Sequence, residues 1–167
     1  MFNEPLDLSS IDATQLIDTL YKIFYQHFIK TKTYLAGCIY INPKCYDKEE
    51  GKERVFWHLI TKEQKEKVFE NGKAVWKEKG RYLDYARASR LEWIKTILDN
   101  HQHTDIKLFY HQETNAKKNI RLYLWAYQQD FVVILQKLGK SSSYLVTSFY
   151  IEHKGKRKDY QKRFERY

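Results

Sequence analysis

Apolar positions recur at helical spacing through much of the first two thirds of the chain. In the last third they gather into short runs of strand length, of which "IRLYLWAYQ" (120–128) alternates cleanly with polar ones. Leu16, Ile17, Leu20, Ile23, Phe24 and Phe28 fall on one side of a helix that Ser9 or Ser10 can cap. "YLAGCIYI" (34–41) predicts a strand, which ends in the charged loop "NPKCYDKEEGKER" (42–54). "RVFWHLIT" (54–61) predicts a second strand, with Phe56, His58 and Ile60 on one face and Val55, Trp57 and Leu59 on the other. Thr61 and Gln64 have capping-box spacing and predict the start of a helix, which "ENGKAV" (70–75) breaks or bends. A further helix is expected over 82–99. Segments 106–112, 120–128, 130–138 and 143–151 then read as consecutive antiparallel strands joined by short turns.

The expected fold is α+β: one domain over 1–167, with N-terminal helices packed on a twisted antiparallel sheet of about four to five strands. Residues 1–50 form a helical extension, 54–151 the core, and 152–167 a basic tail that is a short helix or a frayed arm. No internal repeat and no linker of domain-boundary character is visible.

Charge changes the picture. A net charge of +9 on 167 residues favours an anionic partner, nucleic acid first and a membrane surface second. The plainer alternative is a basic solvated surface that serves solubility. No apolar run is long enough to span a bilayer, and the polar, acidic start "MFNEPLDLSS" carries no secretory signal, so a cytoplasmic site of action is expected. Cys38 and Cys45 make no disulfide framework, and Cys38, in an apolar run, reads as a small buried hydrophobe.

Two arginines stand out. In the helix expected over 82–99, Leu83, Ala86, Leu91, Trp93, Ile94, Ile97 and Leu98 form an apolar arc, and Arg87 and Arg90 land near its middle. A guanidinium that points inward needs an anion or several acceptors. Asp84 or Glu113 can pair with it, its stem can carry it outward, or it can line a cleft whose anion arrives with a ligand. In "IRLYLWAYQ", Arg121, Tyr123, Trp125 and Tyr127 share one face, which suits stacked bases and a phosphate unless a helix or the N-terminal segment covers it.

Other chemistries find little support. "HQH" (101–103) lacks a carboxylate or cysteine set nearby and reads as a solvated turn rather than a metal site. Neither a phosphate-cradling glycine loop nor a nucleophile elbow is present. No metal and no cofactor is expected. Acid–base cleavage of RNA remains, for which a histidine suits either proton-transfer role. His58 is the preferred histidine; His27, on the first helix, reads as structural or exposed.

"FWHLIT", "RASRLEWI" and "YLVTSFYI" followed by a basic tail resemble the phage and polymorphic-toxin branch of the barnase–EndoU–colicin–RelE-like nucleases. The resemblance covers roughly 54–165. It implies helices on a twisted antiparallel sheet and metal-independent cleavage of RNA, tRNA among the possible substrates. It implies a site of His58, Arg87, Arg90 and Thr147, the last with Ser148 and Tyr150. The N-terminal fifty residues have no counterpart in that pattern, and no acidic catalytic residue of the barnase kind is present. Thr147 and Ser148 face opposite sides of a strand, so one of them can share a face with His58. RNA contacts are expected from Arg121, Tyr123, Trp125, Tyr150, Lys156, Arg157 and Lys158. From Glu152 onward the tail holds seven basic side chains against three acidic ones. A toxin of this kind would meet an acidic immunity or antitoxin protein, because a basic cleft invites an acidic plug. The alternative is a non-catalytic RNA-binding module that uses the same basic aromatic face.

Overall fold

The computed structural model describes residues 1–114 and 117–167. Helix α1 (Leu16–Phe24) runs directly into a wider turn of π type over Tyr25–Lys30. Two short strands follow, β1 (Tyr34–Leu35) and β2 (Ile39–Asn42), and then the small ribbon of β3 (Lys48–Glu49) and β4 (Lys52–Glu53). Helix α2 covers Arg54–Ile60. A long hairpin comes next, β5 (Thr61–Glu70) and β6 (Lys73–Leu83). The one-turn helix α3 (Tyr85–Ala88) and helix α4 (Trp93–Asp99) lead into β7 (Ile106–Gln112), β8 (Ile120–Ala126), β9 (Phe131–Leu138) and β10 (Ser142–Tyr150). Helix α5 (Lys154–Arg166) closes the chain.

The fold is α+β, with a six-stranded sheet in the order β1-β2-β10-β9-β8-β7. The sheet is mixed: β2 runs parallel to β10 through Tyr40↔Ser142 to Asn42↔Tyr144, and the other neighbours are antiparallel. This corrects the all-antiparallel sheet of four to five strands. The predicted strand 34–41 is a tight β1–β2 hairpin, and Cys38 lies exposed in its turn instead of buried.

Both faces of the sheet are covered. Leu20, Phe24, Phe56, Leu59, Ile94 and Ile97 from the helices meet Leu124, Val133, Leu135 and Leu145 on one face. The N-terminal helix therefore shares the sheet's main core and is not an appendage. On the other face Tyr160 of α5 packs among Phe109, Tyr123, Trp125, Val132 and Ile134. The basic tail is thus a docked helix rather than a frayed arm. Among the described residues no helix is long and apolar enough to cross a membrane.

Three further expectations fail for identifiable reasons. Residues 54–60 are helical, not extended. Their buried positions are Val55, Phe56, Leu59 and Ile60, a helical spacing that a short apolar run rich in aromatic and β-branched residues disguises as alternation. Residues 61–83 are a hairpin, not a capped helix. Asn71 (φ 51°) and Gly72 (φ 75°) form a two-residue turn whose left-handed backbone suits strand twist, and Asn-Gly is the residue pair that favours it. The helix expected over 82–99 is interrupted at 89–92, where Arg90 N–H donates to Arg87 O and Trp93 N–H to Arg90 O. The two arginines go to different partners there: Arg87 turns to the end of α2, and Arg90 to the rings of Trp93 and Tyr150.

Candidate nucleic-acid cleft

Helix α2 ends with carbonyl groups that no further helical turn can satisfy. Nearby side chains and one backbone group take over. Arg87 Nη1 donates to the main-chain oxygens of His58 (3.0 Å) and Thr61 (2.9 Å). Arg81 donates from Nε to Thr61 Oγ1 (2.9 Å) and from Nη2 to Thr61 O (3.0 Å). Thr147 Oγ1 donates to His58 O at 3.3 Å, and Asp84 N–H donates to Ile60 O at 2.9 Å. Two guanidinium groups at a helix C-terminus also oppose its partial negative charge favourably. This cap fixes the last turn of α2, and with it the histidine.

His58 is half-buried where three adjoining openings meet. The largest, about 650 Å³, has Lys62, Lys65, Arg81, Arg87 and Arg121 in its wall against one carboxylate, Glu63. Val146, Thr147 and Phe149 complete it. Thr147 reaches this wall because β10 is irregular between Leu145 and Thr147. Leu145 joins the helix-covered core, Val146 packs with the opposite cluster, and Thr147 pairs with Ile134 of that cluster. A bulge at this point re-aims the side chain, as bulges beside functional sites do. Ser148, one residue on, is fully buried.

Electrostatics set the protonation states. Burial, and after it the charges of Arg81, Arg54 and Arg87, hold the His58 pKa below the ordinary histidine value, against the pull of Glu49. The imidazole is therefore neutral at pH 7 and can accept a proton. Arg87 is also lowered by burial, with Asp84 opposing at 3.6 Å, but a guanidinium keeps its charge regardless. Arg121 lies between the largest opening and its neighbour, and its buried Nε has no hydrogen-bond partner among the described residues. Lys156 on α5 lies beside this wall, with Nζ 4.1 Å from the centre of the Phe149 ring. Burial, and then Arg87, Lys62 and Arg163, push its ammonium below the usual lysine range, with Asp159 opposing.

Thus His58, Arg87, Thr147 and Arg121 line one opening, with Lys156 beside its Phe149, and the other expected site residues do not join them. Arg90 is held between the rings of Tyr150 (4.5 Å) and Trp93 (5.3 Å), with Nη1 on Ala86 O. It lines a separate opening beside Leu6 and Leu8. Tyr150 is accordingly its packing partner and not part of the cleft. Tyr123 and Trp125, expected to stack bases, are 4% and 1% exposed beneath α5. Tyr123 Oη donates to Glu113 at 2.5 Å, and burial with that bond pushes its pKa up to about 12. Arg157 is committed to Asp130 and to Tyr127 O, which docks α5 on the β8–β9 turn, while Lys158 is exposed.

Nothing in the local sequence pattern marks Lys62, Lys65 and Arg81 as residues of this wall. The Asn71–Gly72 pair was the signal that would have found them, because it folds their strands back beside α2. Among the described residues no group of three or more His, Cys, Asp or Glu side chains could hold a metal ion. Comparison with protein-family models, with curated proteins and with solved structures finds no match.

Proposed function

We propose that this protein is an endoribonuclease that works without a metal, through attack of a 2′-hydroxyl on the adjacent phosphate. The observation that carries this reading is a neutral, half-buried histidine inside a wall of five cationic side chains and one carboxylate. Such a wall suits a phosphodiester and repels a metal ion.

In the proposed step His58 takes the proton from the 2′-hydroxyl as its oxygen bonds to phosphorus. The bond from phosphorus to the 5′-oxygen breaks, and Lys156 gives that oxygen a proton. The products are a 2′,3′-cyclic phosphate and a free 5′-hydroxyl. Proton exchange with solvent restores both groups. Arg121 and Arg87, both in the wall of the opening, stabilise the added charge on the phosphoryl oxygens. Thr147 and Arg87 act also as positioning residues, since both hold the His58 carbonyl. An RNA substrate puts the work in the cytoplasm, with tRNA a candidate, and an acidic immunity or antitoxin protein would fit the same opening.

The test is cleavage of mixed RNAs in the presence of a chelator. His58→Ala should lower the rate roughly 10²–10⁴-fold with little change in RNA binding. RNA with a 2′-deoxy sugar at the scissile position should bind and stay whole. A second reading is a non-catalytic RNA-binding module, favoured by the commitment of Arg81 and Arg87 to carbonyls of the α2 cap. Binding without cleavage by the wild-type protein would select it.

A further inference from the structure

The β5–β6 hairpin stands out from the body as a two-stranded arm. Thr61 at its base is buried, whereas nearly every residue from Glu63 to Tyr82 is exposed. A ribbon without a third strand or a packed face is marginally stable in water, so a long one is an expensive feature to keep unless a ligand meets it.

Its two faces differ. Pairing Glu66↔Lys77 and Glu70↔Lys73 puts opposite charges across from each other on one face, with Val68 opposite Val75 between them. That face neutralises itself. Lys65, Lys67 and Phe69 alternate onto the other face, opposite Glu78, Trp76 and Ala74. Phe69 is 74% exposed and Trp76 65%. Lys65 is also part of the wall around His58. One stripe therefore runs from the cleft through Lys65 to Lys67 and Trp76 and on to Phe69, about 13 Å along the strand at 3.3 Å per residue.

We propose that this stripe is a stacking platform for single-stranded RNA, guiding bases that flank the phosphate held in the cleft. The proposal rests on the reading of the cleft as an RNA site. Lysines that alternate with open aromatic rings match a chain of phosphates and bases. Aromatic faces accept any base, so the platform confers a preference for unpaired RNA rather than for a sequence. A duplex keeps its bases stacked on one another and cannot use it.

The experiment measures binding of a labelled twelve-nucleotide single strand and of a duplex of equal length, over a range of salt concentrations. It compares wild-type protein, Phe69→Ala/Trp76→Ala, Trp76→Tyr, Lys67→Ala and Arg121→Ala. Both rings are largely exposed, so their removal takes nothing from the core, and a melting curve checks this. The double variant should bind the single strand about tenfold or more weakly with the salt slope retained, since stacking releases no counterions. Duplex binding should move little, and Trp76→Tyr should restore most of the affinity. Lys67→Ala should flatten the slope. If Arg121→Ala weakens binding and the double variant does not, the platform is refuted and the cleft stands. If no variant alters binding, or wild-type protein binds no RNA, the cleft reading fails and the platform with it. Dimerisation lost in the double variant, with RNA binding intact, would also overturn the proposal and make the stripe a contact between copies.

Discussion

Arg87 and His58 meet through the backbone: the guanidinium donates at 3.0 Å to the carbonyl oxygen of the histidine and not to its ring. The imidazole is thereby left free for a substrate while its main chain is held. The same Nη1 donates to Thr61 O, so one side chain spans the end of α2. Arg87→Lys should therefore fail to substitute, because the guanidinium plane fixes the directions of both Nη1 N–H bonds, whereas an ammonium on a shorter stem does not. We expect a fall in rate with Lys as well as with Ala, together with lower thermal stability in both. A Lys variant with wild-type rate and melting temperature would refute the capping role.

The depressed pKa of His58 has a defined sign in two measurements. In the free protein its ring should titrate below the usual histidine value of about 6.5 in an NMR pH series. A short polyphosphate should move the midpoint upward, since an anion favours the protonated ring. The unfolded chain binds the proton more readily than the native one between the two pKa values. His58 therefore adds stability that is complete above about pH 6.5 and is lost as pH falls through the folded value. An unshifted or raised midpoint in the free protein would contradict the cluster.

Arg121 and Arg90 should separate cleanly. Arg121→Ala should reduce the slope of log affinity against log salt by about 0.7, the value for one phosphate contact on a single strand. Arg90→Ala should keep that slope and lower stability by about 1–2 kcal/mol, the worth of a cation held against aromatic faces. Equal salt effects from the two would mean that the cleft is wrongly drawn.

Tyr160 is 3% exposed and meets Phe109, Tyr123 and Trp125 edge-on. Tyr160→Ala should cost about 3–5 kcal/mol, as large aromatic truncations in cores do. Removing all of 154–167 should expose Tyr123 and Trp125 and so lower the unfolding midpoint in urea. A tail that merely contacts RNA would leave that midpoint unchanged.

The strands of the last third are legible because apolar and aromatic runs of seven to nine residues stand between clear turns, and β8 alternates, sending Leu122, Leu124 and Ala126 to the helix side as its pattern requires. The fate of its opposite face was not legible. Tyr123 and Trp125 look alike whether they meet a base or Tyr160, and the choice depends on where α5 lands. His58 stands out by its residue type and neighbours, but it lies on a helix and not on the expected strand. Its arrival beside Thr147 depends on a helix end and a bulge, both set by contacts distant in sequence. The long hairpin was hidden because Thr61 and Gln64 imitate a helix start, while the decisive Asn71–Gly72 pair lies seven residues beyond Gln64.

The parallel pairing of β2 with β10 joins strands about a hundred residues apart and gives the chain a timetable. Contacts so far separated close late, and a ribosome delivers residue 147 long after residue 58. The wall around His58 draws on α2, β5, β6, α3, β8 and β10, so a nascent chain carries the histidine without its surroundings. The basic cleft comes into being only with the C-terminal strands, and a prematurely ended product has none.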